Sequence, residues 1–187
     1  MIDTSEFRKG LKVEFNGEPY VIVEFQHIKP GKGNAFVRTR LKNLITGNVI
    51  DHNFRAGEKL QEPDLEQREM QYLYNEGNDY YFMDIKSYEQ IMVSKDHLGD
   101  APDYMMEHSQ VSILYYKGKP IGVEIPNFVE LKVIETEPGI RGDTVSGASK
   151  NAKLETGKVI KVPLFINVGD VLKIDTRTGE YVERLNK

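Results

Sequence analysis

The chain has 187 residues, with 25 Lys plus Arg against 29 Asp plus Glu for a formal charge of −4, and it contains no Cys. At 39% hydrophobic and 29% charged it can bury a core, and no window approaches the roughly 18 uncharged apolar residues a membrane span requires. The missing Cys excludes disulfides, thiolate metal sites and thiol nucleophiles, and the mild acidity argues against a free-standing protein that grips DNA by bulk charge. From Met1 to Phe7 the residues alternate polar, apolar and charged, so no signal peptide is expected; without a span no membrane partner is expected, and the missing Cys fits a reducing cytoplasm.

Period-2 alternation, β-branched and aromatic residues, and frequent Gly and Pro predict a mostly β chain. The first strand covers 11–15, and Asn16-Gly17 supplies a hairpin turn that tolerates positive φ. Further strands are expected at 20–28, 35–44 and 49–54, with Thr46-Gly47 as a turn and 57–63 as a connection. Residues 70–74 and 80–83 form the next hairpin around Asn75-Glu76-Gly77-Asn78. The stretch 96–108 lacks alternation and predicts a short, interrupted helix, with Pro102 tolerated near its start. Strands 111–116 and 121–125 flank a Lys117-Gly118-Lys119 turn, and Pro126-Asn127 marks a boundary. A clean alternating strand at 129–134 leads into a polar loop, 137–151, followed by strands at 159–166, 171–175 and 181–185. This spacing predicts an all-β fold of three small β-barrel domains, residues 1–63, 64–127 and 128–187.

Charge is uneven among the three modules. Residues 1–63 carry 10 basic and 8 acidic side chains, 64–127 carry 5 and 12, and 128–187 carry 10 and 9. Exposed charges are screened beyond about 8–10 Å at physiological salt, so local sign matters more than the total. The pattern suits either a body that touches a polyanion at its two ends or ordinary variation among modules.

Enzyme motifs are missing. His27, His52, His97 and His108 have no metal-ligand spacing, and no HExxH or GxSxG occurs. Gly31-Lys32-Gly33 lacks the third glycine and following helix of a dinucleotide site and is too short for a P-loop. Asp100 and Asp103 fall in a polar segment that suits solvated or capping carboxylates. Arg141-Gly142-Asp143 matches an adhesion tripeptide by letters only. No catalytic residue, metal or cofactor is expected.

The informative segment is Lys29-Pro30-Gly31-Lys32-Gly33-Asn34-Ala35-Phe36. Pro30 fixes φ, and Gly31 and Gly33 permit conformations a Cβ disfavours. The flanking strands, advancing about 3.3 Å per residue, would hold the apex clear of a barrel, making a narrow probe with the Lys32 ammonium at its end. The same letters also describe a soluble turn. Arg38, Arg40 and Lys42 alternate and share one strand face, either a stripe for a nucleic-acid backbone or an ordinary solvent face. Lys29 suits an RNA phosphate or a solvated strand end.

Several strings together resemble the bacterial elongation factor P family across essentially the whole chain. They are Phe7-Arg8-Lys9-Gly10-Leu11, the segment from Lys29 to Phe36, Met70-Gln71-Tyr72-Leu73-Tyr74, and Ser87-Tyr88-Glu89-Gln90. The series continues through Leu131 to Gly139, Gly142-Asp143-Thr144, and Lys173 to Arg184. The resemblance implies a KOW/SH3-like barrel followed by two OB-folds in an L-shape. It implies binding to the 70S ribosome and its RNA between the peptidyl-tRNA and exit sites, with relief of stalling at consecutive prolines. The tip lysine, Lys32 here, would reach the acceptor end of peptidyl-tRNA, above all prolyl, and be the target of a lysine-modifying enzyme; lysine excludes the branch with arginine at the tip. The loop with Gly142, Asp143 and Thr144 would contact exit-site mRNA. Tyr181 and Arg184 match signature positions, with a core role for Tyr181 equally open.

The competing expectation is a free-standing OB-fold protein that binds single-stranded nucleic acid. Tyr72, Tyr74, Tyr80, Tyr81 and Phe82 would then stack on bases, although they sit in the acidic module, where cross-strand core and surface pairs are the alternative.

Overall fold

In the computed structural model, which describes residues 1–139 and 148–185, the alternating segments form strands and no α-helix occurs among the described residues. The N-terminal part contains β1 (Ile2–Asp3), β2 (Lys12–Phe15), β3 (Glu18–Ile28), β4 (Phe36–Asn43), β5 (Val49–Arg55) and β6 (Lys59–Leu60). Antiparallel neighbours in the order β2-β3-β4-β5 make a four-stranded sheet, and β1 pairs with β6. Asn16 and Gly17 both have positive φ, 52° and 77°, the geometry that matches a tight hairpin to strand twist.

Strand β4 alternates strictly: Val37, Thr39, Leu41 and Asn43 are buried while Arg38, Arg40 and Lys42 are exposed. Opposite it, β3 shifts register between Ile22 and Glu24. One extra residue there reverses the phase of the strand, so Ile22 and then Phe25 point inward. Ile22, Val37, Leu41 and Phe54 fill this core with Phe7 and Val13, and the Phe7 and Phe15 rings each meet Phe54 edge-on at 5.4 Å.

The middle sheet has the order β11-β10-β7-β8-β9, built from β7 (Leu65–Glu76), β8 (Asp79–Asp84), β9 (Gln90–Ser94), β10 (Gln110–Tyr116) and β11 (Lys119–Glu124). The last sheet has the order β14-β13-β12-β15-β16, from β12 (Phe128–Thr136), β13 (Ser149–Leu154), β14 (Val159–Pro163), β15 (Val171–Asp175) and β16 (Glu180–Arg184). Its core joins Leu131, Val133, Leu154, Ile160, Val162, Leu172 and Ile174. The fold is all-β, with barrel-like sheets. By compactness the chain divides into Met1–Arg68 with Ile113–Gly122, and Glu69–Ser112 with Val123–Lys187.

Two expectations are corrected. Residues 96–108 are interrupted as expected, with Pro102 in the first turn of a helical piece, but the pieces are two single 3₁₀ turns, Lys95–His97 and Ala101–Asp103, and not α-helix, because the positive φ of Gly99 between them leaves each too short to propagate. The segment instead delivers Tyr104 into the last core, where Thr156 Oγ1 donates to the Asp103 carbonyl at 2.6 Å. The polar loop expected at 137–151 also runs too far, since β13 begins at Ser149. Lys150, Ala152 and Leu154 face inward there, and a lysine and an alanine at inward positions hide the strand's period.

Phe54 is fully buried and touched by two other phenylalanines. Phe54→Ala is expected to destabilise the fold by about 3–5 kcal/mol, read as a lowered urea midpoint at unchanged slope.

Candidate functional site

Strands β3 and β4 pair from Tyr20↔Asn43 up to Ile28↔Phe36, and residues 29–35 close the hairpin. Lys29, Pro30, Gly31, Lys32, Gly33 and Asn34 are all exposed. The apex therefore stands in solvent with Lys32 at its centre. It is not the slender two-stranded probe the strand lengths suggest: β5 accompanies β4 up to Phe36↔Arg55, and Ala56 N–H donates to the Ala35 carbonyl at 3.1 Å. A three-stranded platform carries the loop.

The two glycines differ. Gly33 has φ of +104°, whereas Gly31 has no positive φ, so only Gly33 needs the conformational freedom of a missing Cβ. A Cβ at Gly33 would meet only Pro30 Cγ, at 3.9 Å, and one at Gly31 would meet nothing within 4 Å. Internal clearance is thus open at both, and the constraint at Gly33 is backbone strain.

Below the loop, Arg38, Arg40 and Lys42 share the exposed face of β4. Their charges are not equivalent. Arg40 Nε donates to Asp51 Oδ1 at 3.0 Å and its Nη1 lies 3.4 Å from Glu24 Oε2. These partners come from the strands on either side, in register Glu24↔Arg40↔Asp51. The Asp51 hydrogen bond, then the charges of Asp51 and Glu24, hold the guanidinium more firmly protonated than usual. Neither Arg38 nor Lys42 has an ion pair among the described residues. The same face forms an open concavity of about 1000 Å³ lined by Lys9, Gln26, Arg38, Arg40 and Asn53, together with Glu24 and Asp51. Residue types alone do not reveal Glu24 and Asp51 as partners of Arg40; the hairpin register does.

In the other compact unit, Tyr181 is half-buried against the last core. Arg184 lies 3.7 Å from Asp170 and 5.1 Å above the ring of Phe165, which is 55% exposed. Gly142, Asp143 and Thr144 lie outside the described residues.

Among the middle aromatics, Tyr72, Tyr80 and Phe82 are core, and burial, aided by Tyr80 and Glu107, pushes the Tyr72 phenol up to about 12. Tyr74 and Tyr81 stack on the outer face at 4.7 Å, where burial first, then Glu76, Tyr74 and Asp79, push the Tyr81 phenol up. No group of three or more carboxylates and imidazoles converges to hold a metal among the described residues, and none of their helices is long and apolar enough to cross a membrane.

Fold and site together define a modular β-barrel protein that displays Lys32 at the apex of a hairpin loop on a braced platform. Residues 3–60 match the elongation factor P KOW-like domain, 65–123 the elongation factor P OB domain, and 129–184 the elongation factor P C-terminal domain. Elongation factor P of Moorella thermoacetica is 59% identical over 184 residues, covering 98% of this chain and 100% of its own. That of Carboxydothermus hydrogenoformans is 56% identical over 185 residues, covering 99% and 100%. Among solved structures, eukaryotic translation initiation factor 5A from Methanococcus jannaschii shares the fold at a TM-score of 0.54 and 22% identity, over 65% of this chain and 94% of its own. The chain belongs to the elongation factor P family and is a translation elongation factor.

Because strain acts at Gly33 and not at Gly31, Gly33→Val is expected to lower stability by about 1–3 kcal/mol more than Gly31→Val in matched urea titrations. Equal effects would remove the special role of Gly33.

Proposed function

We propose that the protein binds the 70S ribosome between the peptidyl-tRNA and exit sites and promotes peptide-bond formation where consecutive prolines stall synthesis. Lys32 reaches the acceptor end of peptidyl-tRNA. The observation that carries this reading is the exposed lysine at the centre of a braced loop in a member of the elongation factor P family. Proline's ring fixes φ and restricts the path of the growing chain. The ribosome supplies the reaction site, and a factor that holds the tRNA end in a reactive geometry lowers the barrier. A tenfold effect requires about 1.4 kcal/mol, and a charge-assisted hydrogen bond supplies roughly 1.5–3 kcal/mol.

The remaining assignments follow from charge and position. Residues 1–63, 64–127 and 128–187 act as three modules in the cytoplasm. Lys29, Arg38 and Lys42, which have no ion pair among the described residues, meet RNA phosphate, with Arg40 contributing less because Glu24 and Asp51 already hold it. The segment with Gly142, Asp143 and Thr144 meets exit-site mRNA, and Arg184 supports RNA contact from the last module. A lysine-modifying enzyme lengthens the Lys32 side chain, extending its reach without altering the fold.

Lys32→Ala is expected to leave the thermal midpoint unchanged and to reduce the yield of a consecutive-proline message in reconstituted translation by about tenfold or more. Full rescue by that variant would reject the role of Lys32. A free-standing strand binder would use the Tyr74–Tyr81 stack, but Glu76 and Asp79 act on that stack and repel a polyanion. Binding to free single-stranded oligonucleotide is therefore expected to be weak; tight, steeply salt-dependent binding without ribosomes would favour that other reading.

A further inference from the structure

The root of the lysine-bearing hairpin is held by a polar cluster. Glu18 Oε2 accepts from Asn43 Nδ2 at 2.8 Å and from the Tyr20 hydroxyl at 3.3 Å, tying the start of β3 to the end of β4. Asn43 Oδ1 accepts the Ile45 and Thr46 N–H groups at 2.8 and 3.1 Å, and Leu44 N–H donates to the Pro19 carbonyl at 2.9 Å. These bonds fix the turn after β4 so that Leu44 and Ile45, with Leu65, pack against Leu114, Tyr116 and Ile121 of the β10–β11 hairpin.

One edge of that packing is polar. The Tyr116 hydroxyl donates to Glu14 Oε1 at 2.6 Å and lies 3.2 Å from the Gly17 carbonyl oxygen. Lys117 Nζ sits 3.6 Å from the same carboxylate and 5.1 Å from the Tyr116 ring centroid. Tyr116 is only 7% exposed and the Glu14 side chain 18%, so the carboxylate depends on these partners for the solvation it has lost. Glu14 is itself fixed in β2, where its N–H donates to the Gln61 carbonyl at 2.9 Å.

We infer that Tyr116 and Glu14 form a latch that sets the direction of the lysine-bearing hairpin relative to the β10–β11 hairpin, making both positioning residues for Lys32. The inference rests on the reading that Lys32 works by being placed against its target. From Tyr20 to Ile28 the strand spans about 26 Å at roughly 3.3 Å per residue. A root tilt of about 5° therefore moves the apex by about 2 Å, and a displacement of about 1 Å can lower a rate by about 10²-fold. A hydroxyl–carboxylate bond far from Lys32 thus acts on function through angle.

The test uses spin labels on Gln26→Cys and Lys119→Cys, exposed positions on the two hairpins in a chain with no native Cys. Their distance distribution is measured in the labelled full chain, and consecutive-proline synthesis and the thermal midpoint in the same variants without Cys or label. Tyr116→Phe and Glu14→Gln are each expected to broaden the distribution and reduce rescue several-fold, with a lowered midpoint that still leaves the chain folded at the assay temperature, and the double variant to be no worse than the stronger single one. Glu14→Asp, which keeps the charge on a shorter arm, replaces Tyr116→Phe if that variant does not fold and is held to the same outcome. An unchanged distribution, or a broadened one with full rescue while Lys32→Ala has lost it, overturns the latch. Full rescue by Lys32→Ala would instead overturn the role of Lys32, and the distance distribution would still decide whether the latch exists.

Discussion

Everything displayed at the apex depends on the register of β3 against β4. In an antiparallel pair a slip of one residue turns every side chain to the opposite face, which here would bury Arg38, Arg40 and Lys42 and expose Val37, Thr39 and Leu41. Three features prevent it. The strict alternation of β4 allows a single inward face, the Asn43–Glu18–Tyr20 cluster ties the strands at their root, and the shift between Ile22 and Glu24 absorbs the phase change of β3 at a fixed place. With register set, the loop 29–35 has one span to cross, and Gly33 supplies the φ of +104° that closes it.

The same register decides where positive charge is available. A row of three basic residues on one face suggests a uniform stripe, yet β3 and β5 bring Glu24 and Asp51 to either side of the middle member. Arg40 becomes a tie across three strands, while Arg38 and Lys42, at either end, have no ion pair among the described residues. A stiff sheet and a usable cationic face are competing demands on one row of side chains, and the register divides them by position. Exposed pairs contribute little to stability individually, so the greater effect of Glu24 and Asp51 is on the local field.

Much of this organisation is legible in the sequence because period-2 patterning survives wherever the inward residues are large and apolar. The hairpin turn at Asn16-Gly17, strand 171–175 and the lysine apex are all read directly. Legibility fails where an inward position carries an untypical residue. Lys150 and Ala152 conceal β13, and Lys150 is tolerated inside because its ammonium meets the Glu137 carbonyl at 2.5 Å. It fails again where a short segment serves long-range packing: Tyr104 belongs to a core formed by residues far along the chain, and no local pattern marks it. The partners of Arg40 and of Glu14 are similarly invisible until pairing brings distant residues together.

A lysine is a flexible instrument, with four rotatable bonds and a point charge, and its freedom would blunt any geometric effect if the backbone beneath it were also free. Here the strands beneath the loop are fixed by pairing. Pro30 narrows the loop's entry, β5 braces the platform up to Arg55, and the hairpin root is held by the hydrogen bonds of Asn43, Glu18 and Tyr116. Ordering that would otherwise oppose binding is thus completed during folding, which is how preorganisation raises affinity without new contacts. The proposed contact then asks only the short loop and the Lys32 side chain to order on binding. That division favours chemical elongation of the side chain over redesign of the loop as the route to longer reach, since added atoms extend the flexible part and leave the rigid part as it folded.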